Sequence, residues 1–191
     1  HCPVNNYISV ITNALIKSLR VRSYYQRKLL KEGIERIGRR KKFTIAILMI
    51  TLEKMLAEKE DVDEKNNIGH LLTRLAPYEE LDGIKIDFIE EYVKDTDIEI
   101  IQLSEYGEME RKFVTEFLSE ICWQEVRQNK KHSDIIVFDE FQFLSVKPGS
   151  ALSGMLREGR KFSLSVYMSS QFLGDYSQEE VDTLMQAGNI L

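Results

Sequence analysis

The stretch that decides the fold reads Ile135-Ile136-Val137-Phe138-Asp139-Glu140. Four apolar residues, three of them β-branched, stop at two adjacent carboxylates. A short continuous apolar run is the pattern of a strand buried in a parallel sheet. Carboxylates at the C-terminal end of such a strand stand where open α/β sheets bind ligands. There one carboxylate can hold hydrated Mg²⁺ and a second can polarise an attacking water. An acidic pair is also simply a way to end a strand, and the pair alone leaves both readings open.

The flanking sequence repeats a strand–helix alternation. Residues 98–103 form an apolar strand candidate. Residues 107–128 are amphipathic, with Met109, Phe113, Val114, Phe117, Leu118, Ile121 and Val126 expected along one side. After the strand at 134–139, Pro148-Gly149-Ser150 breaks the chain, and Ser150 is placed to cap a helix running to about 161. A strand at 163–168 ends in Ser169-Ser170-Gln171. A helix at 178–187 follows, and Asn189-Ile190-Leu191 begins a further strand. Strands alternating with helices predict a parallel sheet with right-handed crossovers.

The first half reads as helical throughout. Ile8, Ile11, Leu15 and Leu19 recur at helical spacing. A second helix is expected over 23–37 with Gly38 as its C-cap, a third over 43–59, and a fourth over 67–76 that Pro77 stops. The expected architecture is therefore α/β, an all-α subdomain over 1–95 preceding a parallel sheet with helices on its faces over 96–191.

Composition narrows the function classes. The 191 residues are 43% apolar and 30% charged, as in a water-soluble globular protein. No apolar run approaches the ~20 residues that span a bilayer, so no membrane segment is expected. Cys2 and Cys122 make no disulfide framework, which points to a cytoplasmic setting. Cys122 falls on the apolar face of its helix and reads as a small core residue. His1, His70 and His132 do not cluster as metal ligands do. His1 is not an initiator residue, so the sequence is expected to be a piece of a longer chain.

The net charge of −5 hides a segregation. Residues 20–42 hold ten Lys or Arg against two Glu, a net of +8, which leaves −13 for the remainder. Such a block suits an anionic partner such as DNA, with Arg39, Arg40, Lys41 and Lys42 the candidate contacts; a solvated helix face followed by a basic loop explains it equally.

Three further features bear on chemistry. Gln171, at the end of the strand after the acidic pair, is expected to approach the space above Asp139 and Glu140, where its amide could bind a γ-phosphate or the attacking water. Arg157 and Arg160 lie three apart on one helix face and could grip phosphate, or merely suit a helix C-terminus. The run from Gly154 to Lys161 imitates a phosphate-binding G-x-x-x-x-G-K-[ST] loop. It fails because Arg-Lys follows the second glycine and because the segment reads as helix. No other segment matches. Ser169 and Ser170 lack a nucleophile elbow, and no triad context surrounds His70 or His132.

Taken in order, Ile135 to Gln142, then Glu158-Gly159-Arg160-Lys161-Phe162, then Ser170-Gln171 resemble the HerA/FtsK-like branch of RecA-fold ATPases. This branch includes HerA-type DNA translocases, conjugative type IV secretion ATPases and helicase-like proteins of phosphorothioation-dependent restriction, and the resemblance to the last is greatest. It spans roughly residues 96–191, and residues 1–95 look like the family's all-α insertion. The resemblance implies a partial RecA-like sheet and the use of ATP and Mg²⁺. It also implies self-association into a hexameric ring and movement of DNA through the ring. It assigns Asp139 to Mg²⁺ through water, Glu140 as the base that activates water, Gln171 as sensor, and Arg160 as an arginine finger reaching a neighbouring subunit, with Arg157 as a second candidate. The missing phosphate loop would precede residue 1, and the chain by itself would bind ATP poorly. Two rivals remain at this stage: a non-enzymatic DNA-binding or assembly module with a vestigial nucleotide site, and another P-loop class such as a packaging motor or an AAA-type remodeller.

Overall fold

The computed structural model describes residues 4–38, 43–79, 81, 98, 100–128, 134–141, 144–170, 174 and 176–187. The chain divides into two compact units, His1–Glu110 and Arg111–Leu191. Arg39, Arg40, Lys41, Lys42, Gln171 and the expected strand at 189–191 lie outside the described residues. Among the described residues no helix is long and apolar enough to cross a membrane.

Among the described residues of the first unit are four α-helices: α1 (Val4–Ser18), α2 (Tyr24–Ile37), α3 (Ile45–Glu58) and α4 (Val62–Leu75). Each of α1, α3 and α4 packs on α2. The stripe Ile8, Ile11, Leu15 and Leu19 is buried, as its spacing requires, against a core that includes Leu30, Ile34, Leu48, Leu52, Ile68 and Leu71. Side-chain caps set three of the starts. Ser23 accepts from Gln26 N, Thr44 from Ile47 N and Asp61 from Glu64 N. The Asp61 cap starts α4 five residues before the expected position, with Asp63 and Glu64 in a first turn that favours negative charge. Gly38 does close α2 by donating to Ile34 O, but at φ −52° rather than in the left-handed form.

The expected strand at 98–103 is not formed. Residues 98 and 100–103 are irregular, and Ile98 and Ile100 are 80% and 85% exposed. A strand exists only when its backbone groups are paired, and the described sheet offers these residues no partner.

Helix α5 (Glu108–Arg127) enters the second unit, which continues with β1 (Ile135–Phe138), α6 (Ala151–Glu158), a 3₁₀ turn at Gly159–Phe162, β2 (Ser165–Met168) and α7 (Gln178–Ala187). The outcome is mostly helical with a two-stranded parallel sheet flanked by helices, an α/β fold. Of the α5 residues expected to be buried, Met109 is exposed and the other six are buried together with Trp123. Cys122 is half-buried against the Trp123 cluster, as a small core residue should be. Ile136, Phe138, Val166 and Met168 point from the sheet into two apolar clusters built on α5, α6 and α7. The run Ile135-Ile136-Val137-Phe138 predicts burial on both faces, yet Ile135 and Val137 are 59% and 69% exposed. Side chains alternate along a strand, so helices on one face cover only every second residue.

Candidate active site

The parallel register pairs Ile135 with Ser165 and Phe138 with Met168, so the two strands end level. The pairing continues one residue further. Ser169 N–H donates to Phe138 O at 2.9 Å, and Phe141 N–H donates to Ser169 O at 3.0 Å. This staples the turn after β1 to the segment after β2. Asp139 is exposed at that edge, and the Ser169 hydroxyl donates to its Oδ1. A carboxylate held in this way is fixed in rotamer while its other oxygen stays free for solvent or a hydrated cation.

Glu140 follows in the left-handed region, at φ 56°. A residue with a Cβ pays about 1–2 kcal/mol to adopt that conformation. The turn is maintained by what comes next. Phe141 is buried and stacks on Tyr176 at 5.7 Å, and the Tyr176 hydroxyl donates to Phe141 O at 2.8 Å and Leu144 O at 3.0 Å. The anchored Phe141 pulls the chain inward and leaves the Asp139-Glu140 corner outside.

The arginines lie at the other end of the sheet. Helix α6 starts at its Ser150 cap, as expected, and ends in the 3₁₀ turn that contains Arg160. Leu164 N–H donates to Gly159 O at 3.0 Å, and Ser165 N–H donates to Asp134 O at 2.8 Å. Arg160 therefore sits beside the N-terminal ends of β1 and β2, a full strand length (about 13 Å) from the Asp139 end. Arg157 and Arg160 are both exposed. Arg157 also lines an open cleft of about 350 Å³ with Leu156, Thr183 and Gln186. The structure thus brings Asp139, Glu140 and Ser169 together and separates them from Arg157 and Arg160.

The glycines of the imitation phosphate loop have packing roles. Gly154 lies within α6, where a Cβ would come 2.5 Å from Trp123 Nε1. Gly159 is buried against Leu164, where a Cβ would meet the carbonyl oxygen at 3.3 Å. Ser169 and Tyr176 had no part in the expected site. A parallel register counted from two runs of equal length would have placed Ser169 beside Asp139, whereas nothing in the sequence marks Tyr176.

Among the described residues no three His, Cys, Asp or Glu side chains are grouped to hold a metal ion. The donor set at the sheet edge is one carboxylate oriented by a hydroxyl. It fits Mg²⁺ reached through its water shell, a cation that keeps several waters when few carboxylates bind it. The AAA-like domain family matches residues 93–189, just over half of the chain, and its span contains both strands and the acidic corner. The chain belongs to the AAA-like domain family. No curated protein and no solved structure matches it. The family lies within the P-loop NTPase class, so the AAA-like region is of the ATPase type.

Proposed function

We propose that the AAA-like region supplies the hydrolytic carboxylates of an ATP-driven, DNA-translocating motor of the HerA/FtsK kind. The observation that carries this reading is the Asp139-Glu140 corner, stapled to the C-terminal end of the neighbouring parallel strand through Ser169. Bound Mg²⁺-ATP would supply the reactive γ-phosphoryl group and the cation that neutralises its charge. Asp139, fixed by the Ser169 hydroxyl, would hold the cation through its water shell. Glu140, half-buried at the same corner, would accept a proton from the attacking water. Gln171 lies two residues past Ser169 in sequence, which suits an amide that senses the γ-phosphate.

The opposite placement of Arg160 supports a head-to-tail ring, with six copies as the reading. A single copy keeps its guanidinium a strand length from its own carboxylates, so only a neighbour's Arg160, or less directly its Arg157, could reach them. Heterologous contacts close into a ring when the rotation between copies closes. Arginine fingers provided in trans raise phosphoryl-transfer rates by about 10³–10⁵.

The test is Mg²⁺-dependent ATP hydrolysis by the protein in its full natural length. Glu140→Gln should abolish turnover while leaving nucleotide affinity in place. Arg160→Ala should reduce turnover, and mixing it with Glu140→Gln should restore part of the activity, because some interfaces then carry both intact residues. Hydrolysis unaffected by Glu140→Gln would refute the assignment.

A further inference from the structure

Residues 17–31 carry six Lys or Arg and no Asp or Glu, in a chain whose net charge is −5. They cover the end of α1, the connection and the start of α2. Further along α2 the charges are neutralised: Arg36 pairs with Glu32 and Glu58, and Lys31 with Glu35. Arg20, Arg22, Arg27 and Lys28 are exposed, and none forms an ion pair among the described residues. Between them Tyr24 and Tyr25 stand 75% and 66% exposed, their rings edge-on at 5.8 Å. On α2 the positions of Tyr24, Arg27 and Lys28 fall on one face, at steps of three and four.

The surface is rigid as well as charged. Arg74 of α4 donates to Leu19 O at 2.8 Å and Arg20 O at 3.2 Å, and Arg27 Nε donates to Val21 O at 2.9 Å. Arg20 takes a left-handed φ of 53°, and Val21 is buried beneath it. Large exposed rings contribute nothing to the fold here, because the core is made by the opposite face through Leu29, Leu30 and Ile34.

From this juxtaposition we propose that the α1–α2 corner is a binding platform for single-stranded polynucleotide. Its unpaired cations take the phosphates, and Tyr24 and Tyr25 stack on unpaired bases. Base–aromatic stacking on a basic surface is the general mode for single strands and needs no sequence preference. Duplex DNA offers phosphates but no free base faces. An anionic membrane would be met by inserted aliphatic side chains, and the aliphatics of α2, Leu29, Leu30 and Ile34, lie on the opposite face in the core. The platform rests on the motor reading only for its biological setting, since strand binding needs no ATP.

The probe is a fluorescein-labelled 20-residue oligothymidylate, read by anisotropy with the 191-residue chain, beside a duplex of equal length and phosphatidylserine vesicles. Tyr24→Ala with Tyr25→Ala should weaken single-strand binding at least about thirtyfold and leave the duplex affinity unchanged. Tyr24→Phe with Tyr25→Phe should retain binding, since stacking needs the ring and not the hydroxyl. Arg22→Gln with Lys28→Gln should lower the slope of log affinity against log salt by about 1.4. The platform is overturned by unchanged affinity in the double alanine variant, by equal losses for single strand and duplex, or by binding to vesicles without binding to the oligonucleotide. A failed Glu140→Gln test would remove the motor and leave the platform standing. A failed tyrosine test would do the reverse.

Discussion

Gly154→Ala should destabilise the second unit, against the ordinary expectation for a helix. Inside an exposed helix, alanine gains about 1 kcal/mol over glycine. At Gly154 the new Cβ would lie 2.5 Å from Trp123 Nε1 and 2.9 Å from Cε2, atoms of a rigid ring. That ring cannot move aside freely. It is 4% exposed, meets Phe162 perpendicularly at 5.6 Å, and has the Arg127 guanidinium over it at 5.8 Å. Overpacking a closed site costs about 1–3 kcal/mol, so after the propensity gain of about 1 kcal/mol the net loss is up to about 2 kcal/mol. In urea, with a slope of about 2 kcal/mol per molar, the midpoint should fall by up to about 1 M. Trp123 is the chain's one tryptophan and belongs to the second unit, so its fluorescence follows the affected part selectively. Gly69→Ala in α4 is the control. Nothing lies within 4 Å of its Cβ position, and circular dichroism should show a gain of up to about 1 kcal/mol. If Gly154→Ala raised the fluorescence midpoint, the reasoning about Trp123 would be wrong.

Two further outcomes follow from the backbone and the caps. Glu140→Gly relieves a left-handed φ of 56°. Relief of about 1–2 kcal/mol is partly offset by the extra freedom of glycine in the unfolded chain, about 0.4–1 kcal/mol. Urea unfolding should therefore show stability unchanged or raised by about 1 kcal/mol, and a loss larger than that would mean the side chain supports the fold. At α7, Ser177 and Glu180 form a reciprocal cap: Glu180 Oε2 accepts from the Ser177 hydroxyl at 2.7 Å and from its N–H at 3.0 Å. The hydroxyl bond, with smaller help from the Ser177 N–H and Lys147, outweighs burial and holds the Glu180 carboxyl below its ordinary value of 4.5. A lowered pKa stabilises the fold above the unfolded value, and this stabilisation is lost as pH falls through the folded value. Amide protection at the start of α7 should drop below about pH 4.5 in the wild type. The drop should be absent in Glu180→Gln, and equal pH dependence in both proteins would rule the cap out.

Much of this fold was legible in local spacing. The stripe from Ile8 to Leu19, the cap at Ser150, the helices over 107–128 and 178–187 and the two strands all follow from residues within a few positions of each other. The acidic corner was legible for the same reason, as an apolar run followed by two carboxylates. Local spacing misled where formation depends on a partner. Residues 98–103 have the composition of a strand, yet 98 and 100–103 pair with no strand among the described residues, and Met109 keeps the helical period but is not buried.

The sequence by itself determined most of the helices, the two strands that pair, their order, and which residue types end up at the strand ends, because hydrophobic period, capping and turn chemistry act over a few residues. Only the tertiary structure decided what those residues meet. Ser169 reaches Asp139 because a parallel register joins positions 30 apart. Glu140 is held left-handed while Phe141 is fixed beneath it by Tyr176, 35 residues away. Arg160 stands at the far end of the sheet because a crossover helix runs antiparallel to its strands and returns the chain to where the strands begin. Each of these relations is a contact across sequence distance, and a linear pattern of residue types does not contain it.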